Sequence, residues 1–214
     1  DGGFDGIIIK LGSAFSYTKI IENGNIEVGA ATPDKKVADF AMENSLAGLE
    51  FLSCIPGSIG GAIIMNSGCY GYDMSQYVVS VDALTFNGEF KTFKSNEINF
   101  SYRDSDFGDD LIILSVKLKG RKGIMQEIKK KQTEFLNQKR KSQPSKIKTC
   151  GSTFKNPPKK KAWELIKLSG CSNLSIGGAR ISEQHCNFFL NNGKATSSDI
   201  ETLINEVKNK VFLK

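Results

Sequence analysis

The chain has 214 residues, 39% of them hydrophobic and 24% charged, and no apolar run approaches the ~20 residues of a membrane-spanning helix. This excludes a disordered tail or a helical membrane protein and predicts a folded, soluble chain of one large domain or two small ones. Its 29 lysines and arginines against 23 acids give a net charge of +6, which favours anionic partners such as nucleic acid, acidic lipid or nucleotide-like ligands.

In chain order, the β-branched runs Ile7–Leu11 and Ile26–Ala30 predict strands. Thr32 as N-cap, Pro33 at the first helical position and the spacing of Val37, Phe40, Ala41 and Leu46 predict a helix over 33–47. Tyr77–Phe86 and Glu89–Phe93 flank Asn87-Gly88, the signature of a hairpin closed by a type I′ turn. Leu111–Leu118 reads as a strand, followed by a lysine-studded helix over about 123–139. Gln138–Lys148, basic and poor in large apolar residues, reads as a connector, which puts a domain boundary near 140 and divides the chain into 1–140 and 141–214. Beyond it come a helix over 161–169 with Trp163 on its core stripe, strands near 174–181 and 186–190, and a last helix after Thr196. Thr196 and Asp199 approximate a capping box, and Ile200, Leu203, Ile204, Val207 and Val211 form its apolar stripe. The order of elements is that of an α+β protein. Ser58–Ala62 recurs as Ser175–Ala179 with unrelated flanks, which reads as coincidence and not as a structural repeat.

Three segments carry candidate chemistry. Glycine is enriched at 21 residues, and its densest cluster runs through Ile55–Ala62 and Met65–Gly71. Such a run either cradles a diphosphate on backbone N–H groups or makes tight turns. Neither a Walker A lysine nor G-x-G-x-x-G accompanies it, so neither a P-loop nor a Rossmann site is supported. In Ser101–Ser105, Arg103 is suited either to clamping a carboxylate or to a surface ion pair with Asp104 or Asp106. In Cys150–Pro157, Ser152 reads as a proton donor or as the cap of a turn, and a Ser-His-Asp hydrolase is disfavoured without a G-x-S-x-G elbow. One histidine, His185, and five cysteines without C-x-x-C spacing leave no metal site expected and suit a reducing cytoplasm. The runs Lys129–Lys131, Lys139–Lys141 and Lys159–Lys161 lack a nucleic-acid recognition signature and read as solvated faces.

Taken together, I-P-G-S-I-G-G-A with N-S-G-C-Y-G, then Y-R-D-S, then G-S-T-F-K-N-P, then I-G-G-A-R-I-S resemble the UDP-N-acetylenolpyruvoylglucosamine reductase family along almost the whole chain. The opening D-G-G-F-D-G-I-I-I-K-L is similar to the stretch just after that family's first flavin loop. The resemblance implies a vanillyl-alcohol-oxidase (PCMH) type FAD-binding domain followed by a small α/β substrate-binding domain. It implies FAD as cofactor, NADPH as co-substrate and a UDP-sugar enolpyruvate as substrate, in a cytoplasmic monomer that binds neither nucleic acid nor membrane. Carried over, Pro56, Gly57, Ser58, Gly60, Gly61, Asn66 and Gly68 surround the FAD diphosphate; Arg103 holds the substrate carboxylate and steadies the enolate, and Ser152 donates the proton. Tyr102 lines the substrate pocket, and Lys155 and Asn156 lie in the substrate or nicotinamide pocket. The lack of an inserted substrate-covering tyrosine loop implies the family's shorter subclass, and a chain cut at both ends is expected, since the family's G-x-G-S-N loop would lie before Asp1 and its L-E-x-E glutamate after Lys214. Weak FAD retention and poor turnover are expected if the chain is entire. Another FAD-dependent oxidoreductase of the same fold, or an inactive fragment of the reductase, are the competing readings.

Overall fold

A computed structural model describes residues 3–108, 110–145 and 147–213. Asp1 and Gly2 of the opening motif, and Lys214, lie outside the described residues. The chain divides into two compact units, Ile7–Asn137 and a second that takes in the described residues before Ile7 together with those from Gln138 onward.

The first unit is built on a five-stranded sheet of β1 (Thr18–Ile20), β2 (Asn25–Gly29), β3 (Val78–Thr85), β4 (Phe90–Lys94) and β5 (Leu111–Lys119), in the order β1-β2-β5-β3-β4. Every ladder is antiparallel. Ile26 and Val28 of β2, Val81 and Ala83 of β3, and Val116 and Leu118 of β5 are buried, while Asn25 and Glu27 beside the β2 pair are not. This period-2 alternation gives the sheet one core face. Helix α1 (Asp34–Glu43) adds Val37, Ala38 and Ala41 to that core, and the short helix α2 (Ile59–Ile64) adds Ile59, Ala62 and Ile63. Helix α3 (Met125–Ser142) is mostly polar, but Gln132 reaches in to donate to Ala38 O at 2.9 Å. Its lysines are not one uniform solvated face: Lys131 Nζ lies 4.5 Å from the Tyr72 ring centre and bonds the Tyr72 hydroxyl at 3.0 Å.

The second unit holds a four-stranded antiparallel sheet of β6 (Lys148–Ser152), β7 (Ser175–Ile176), β8 (Ala179–Ile181) and β9 (Phe188–Asn191), in the order β6-β9-β8-β7. Helices α4 (Ala162–Leu168) and α5 (Ser197–Phe212) close its core through Ile166, Leu203 and Val207. The α5 start is a full capping box: Thr196 accepts from Asp199 N while Asp199 accepts from Thr196 N.

Several expectations are corrected. Ile7–Leu11 is not a strand, and Ile7, Ile8 and Ile9 are 89%, 79% and 63% exposed. β-branched residues favour a pleated surface only where a neighbouring strand supplies the ladder, and among the described residues none does here. The helix predicted over 33–47 stops at Glu43, because Ser45 turns left-handed (φ +55°) and Leu46–Ala47 pair with Arg121–Lys122. Thr32 does not cap it, since its hydroxyl donates instead to Tyr17 O at 3.0 Å and Pro33 takes the N-cap position. The β3–β4 hairpin forms, but not with a type I′ turn: Gly88 alone is left-handed (φ +84°), with Gly88 N donating to Thr85 O and Thr85 N to Glu89 O. That is a type I turn closed by a glycine bulge. The basic connector begins helical, because α3 continues through Ser142. Trp163 leaves the core, 39% exposed with its ring 6.4 Å from that of His185, and Ile166 fills the interior instead.

Candidate functional site

The glycine segment becomes a turn and a short helix held against the end of β2. Asp34 N donates to Gly57 O at 3.1 Å, Ile59 N to Thr32 O at 3.0 Å and Gly60 N to Ala30 O at 2.9 Å. These bonds lay the backbone of Gly57–Gly60 alongside residues 30–34. Gly57 sits at φ +132°, which a residue with a side chain rarely adopts. A Cβ on Gly60 would stand 3.1 Å from that of Ala30, so a side chain there would press the helix away from residue 30 by a few tenths of an ångström. A Cβ on Gly61 would meet nothing within 4 Å, so packing gives no reason for this glycine. Among the described residues no acceptor meets the N–H groups of Gly57, Ser58 or Gly61. Unclaimed amides on an exposed turn, beside a glycine that keeps a surface open, fit the oxygens of a diphosphate.

Asn66 (φ +38°) ties this segment to the next. Its Nδ2 donates to Ser101 O at 3.0 Å and its Oδ1 accepts from Ser75 N at 3.0 Å. Ser105 Oγ adds a bond to Ile64 O at 2.8 Å, so the hairpin of Phe100–Ser101 and Asp104–Ser105 is pinned to the C-terminal end of α2. Gly68 has a steric role of its own, because a Cβ there would lie 2.2 Å from Tyr72 O. At the hairpin tip Arg103 is left-handed (φ +59°) and Tyr102 is 57% exposed. The surface ion pair open to Arg103 does not form: among the described residues its guanidinium has no carboxylate or hydrogen-bond partner. Asp106 is occupied elsewhere, accepting from Asn99 N at 2.8 Å, a bond that holds its carboxyl below the usual range.

In the second unit, Ser152 ends β6 after a bulge in which Gly151 is left-handed (φ +88°). Its hydroxyl is exposed and has no protein partner among the described residues. Asn187, which no motif singled out, fixes the backbone of Thr153 and Phe154. Its Oδ1 accepts from Phe154 N at 2.9 Å, its Nδ2 donates to Phe154 O at 2.8 Å, and its carbonyl accepts from Thr153 N at 2.8 Å. Asn187 is buried inside the apolar run Cys186–Leu190, and that misplaced polarity was its only sequence signal. His185 Nδ1 accepts from Asn187 N at 3.2 Å, and burial pushes its imidazole below its ordinary pKa, which keeps the accepting neutral form. Asn156 Oδ1 accepts from Ala162 N at 2.9 Å and so starts α4, while Lys155 is exposed.

Two family models match the chain: an FAD binding domain over residues 1–94, and the C-terminal domain of UDP-N-acetylenolpyruvoylglucosamine reductase over 142–214. The reductase of Pelagibacter ubique is 46% identical over 211 residues, covering 97% of this chain and 70% of that protein. The chain belongs to the UDP-N-acetylenolpyruvoylglucosamine reductase family. The Rickettsia prowazekii reductase is 45% identical, covering 99% of this chain and 72% of its own. The crystal structure of the Thermus caldophilus reductase superposes with a TM-score of 0.79 at 33% identity, over 86% of this chain and 68% of that one. The α+β fold is therefore that of the reductase family, and the glycine turn of Pro56–Gly61 lies inside its FAD binding domain.

Proposed function

We propose that this protein reduces the enolpyruvyl ether of UDP-N-acetylglucosamine-enolpyruvate to UDP-N-acetylmuramate for peptidoglycan synthesis, with FAD as cofactor and NADPH as co-substrate. Residues 1–140 serve as the FAD-binding domain and 141–214 as the substrate-binding domain. The observation that carries the reading is Arg103, a cation left without a counter-charge among the described residues and held on a strained turn by Asn66.

Pro56, Gly57, Ser58, Gly60 and Gly61 form the cradle for the diphosphate, and Asn66 and Gly68 shape it from the side. The flavin's contribution is hydride chemistry, two electrons from NADPH carried to one carbon of the enolpyruvyl double bond. Arg103 pairs with the substrate carboxylate and stabilises the negative charge that develops on that side. Ser152 gives its proton to the second carbon, and its exposure lets solvent restore it. Tyr102, Lys155 and Asn156 are assigned to substrate binding. The protein works in the cytoplasm, as a monomer.

The test separates the half-reactions. Under anaerobic conditions NADPH bleaches the flavin absorbance and the enolpyruvyl substrate restores it. Ser152→Ala keeps the bleaching and loses the restoration. Full restoration by this variant would transfer the reading to another FAD-dependent oxidoreductase of the same fold.

A further inference from the structure

The cradle has a neighbour that none of the chemistry above employs. Asp34, the first residue of α1, is 1% exposed, and neither carboxyl oxygen meets a hydrogen-bond partner among the described residues. It lies directly behind the glycine turn: its own N–H bonds Gly57 O at 3.1 Å, and a Cβ on Gly57 would come within 3.5 Å of its Oδ2. A buried carboxyl without a donor is costly when charged, so such a group persists only where neutrality is tolerated or required.

We propose that Asp34 is a positioning residue of the flavin loop, which must be a neutral carboxylic acid for FAD to bind and which expels the cofactor when it ionises. This rests on the reading of Pro56–Gly61 as the diphosphate cradle. A carboxylate formed behind Gly57 would set a negative charge, poorly screened by solvent, against the phosphate oxygens on the other face of the turn. It would also draw the unclaimed amides of Gly57 and Ser58 away from those oxygens.

The surroundings leave Asp34 in control of this equilibrium. On its own helix, Lys35 pairs with Asp39 and Lys36 is exposed. From the Glu50–Cys54 turn packed against α1, Glu50 accepts from Gly48 N and faces Lys131, while Cys54 is buried. From the glycine turn no ionisable side chain faces it. Burial alone pushes the Asp34 carboxyl up to about 7, with no neighbouring charge contributing.

The experiment is a titration of FAD into the protein, followed by flavin fluorescence between pH 6 and pH 8.5. If only the neutral acid binds, the apparent Kd rises about 30-fold over that range by proton linkage. Asp34→Asn, neutral at every pH, binds FAD with a flat profile at the strength of the wild type at pH 6. A flat wild-type profile, or an equal slope in the variant, overturns the proposal. No FAD binding by either protein at pH 6 overturns the cradle reading itself. As a check that needs no variant, the 13C chemical shift of the Asp34 carboxyl is titrated with and without saturating FAD. The midpoint moves upward with FAD if the proposal holds, and an unmoved midpoint overturns it.

Discussion

The Asn187 side chain meets Phe154 as a strand would, giving one hydrogen bond to its carbonyl at 2.8 Å and taking one from its N–H at 2.9 Å. Beyond the bulge β6 pairs once more, Ser152 with Phe188, and past its end the Asn187 side chain continues the ladder at Phe154. The position of Ser152 is thereby set from two residues away. Asn187→Ala removes both bonds and leaves two partly buried backbone groups unmet, at a cost of about 2 kcal/mol. Urea unfolding should register that loss, and restoration of the flavin by substrate should slow while its reduction by NADPH does not. An unchanged restoration rate would show that the clamp does not position Ser152.

Arg103 occupies a conformation suited to glycine. Arg103→Gly should therefore raise stability by about 1 kcal/mol, because the strain of a left-handed turn is relieved, while substrate reduction collapses with the loss of the cation. Thermal melts and turnover measured on the same sample test the pair of signs. A variant that is less stable, or still active, contradicts the account.

Gly61 separates a cradle from a tight turn. With nothing within 4 Å of the added methyl, Gly61→Ala should be accommodated and should favour α2 by about 0.5–1 kcal/mol. If the turn is the diphosphate cradle proposed above, the same methyl narrows the surface that Gly61 leaves open, so FAD affinity should fall. A more stable variant with undiminished flavin affinity would return the segment to a purely structural role.

Asp34 also shapes stability with pH. Its folded pKa of about 7 exceeds the unfolded value of about 3.9, so between those limits the native state holds a proton that the unfolded chain has lost. Stability contributed by this group is therefore greatest below about pH 4 and is lost as pH rises through about 7, by up to about 4 kcal/mol. Asp34→Asn should flatten that slope in urea titrations at pH 5 and pH 8 without added flavin. Parallel slopes in the two proteins would place the titration elsewhere.

Much of this architecture was legible in the sequence. β5, the β3–β4 hairpin and α5 announce themselves because long periodic runs and a capping box act locally. Ile7–Leu11 misled because its residues prefer a strand that no neighbour completes, and Trp163 because a helical stripe does not say which of its large residues meets the core. The motifs pointed to Arg103 and Ser152 through their chemistry. Asp34 stayed hidden, since an aspartate at a helix start is ordinary until its burial is known, and Asn187 gave only the faint signal of one polar residue in an apolar run.

The pentapeptide Ser-Ile-Gly-Gly-Ala adopts two unrelated shapes in this one molecule. At 58–62 the carbonyls of Ala30 and Thr32 draw it into the start of α2. At 175–179 the Asp199 carboxylate, bonded to Gly178 N at 3.1 Å, bends it into a hairpin with Gly177 at φ +52°. The loop's form thus resides in its host. A graft of the glycine turn onto another scaffold would have to carry the end of β2 with it, and natural variation at Ala30 or Thr32 should reach the cofactor without touching the motif.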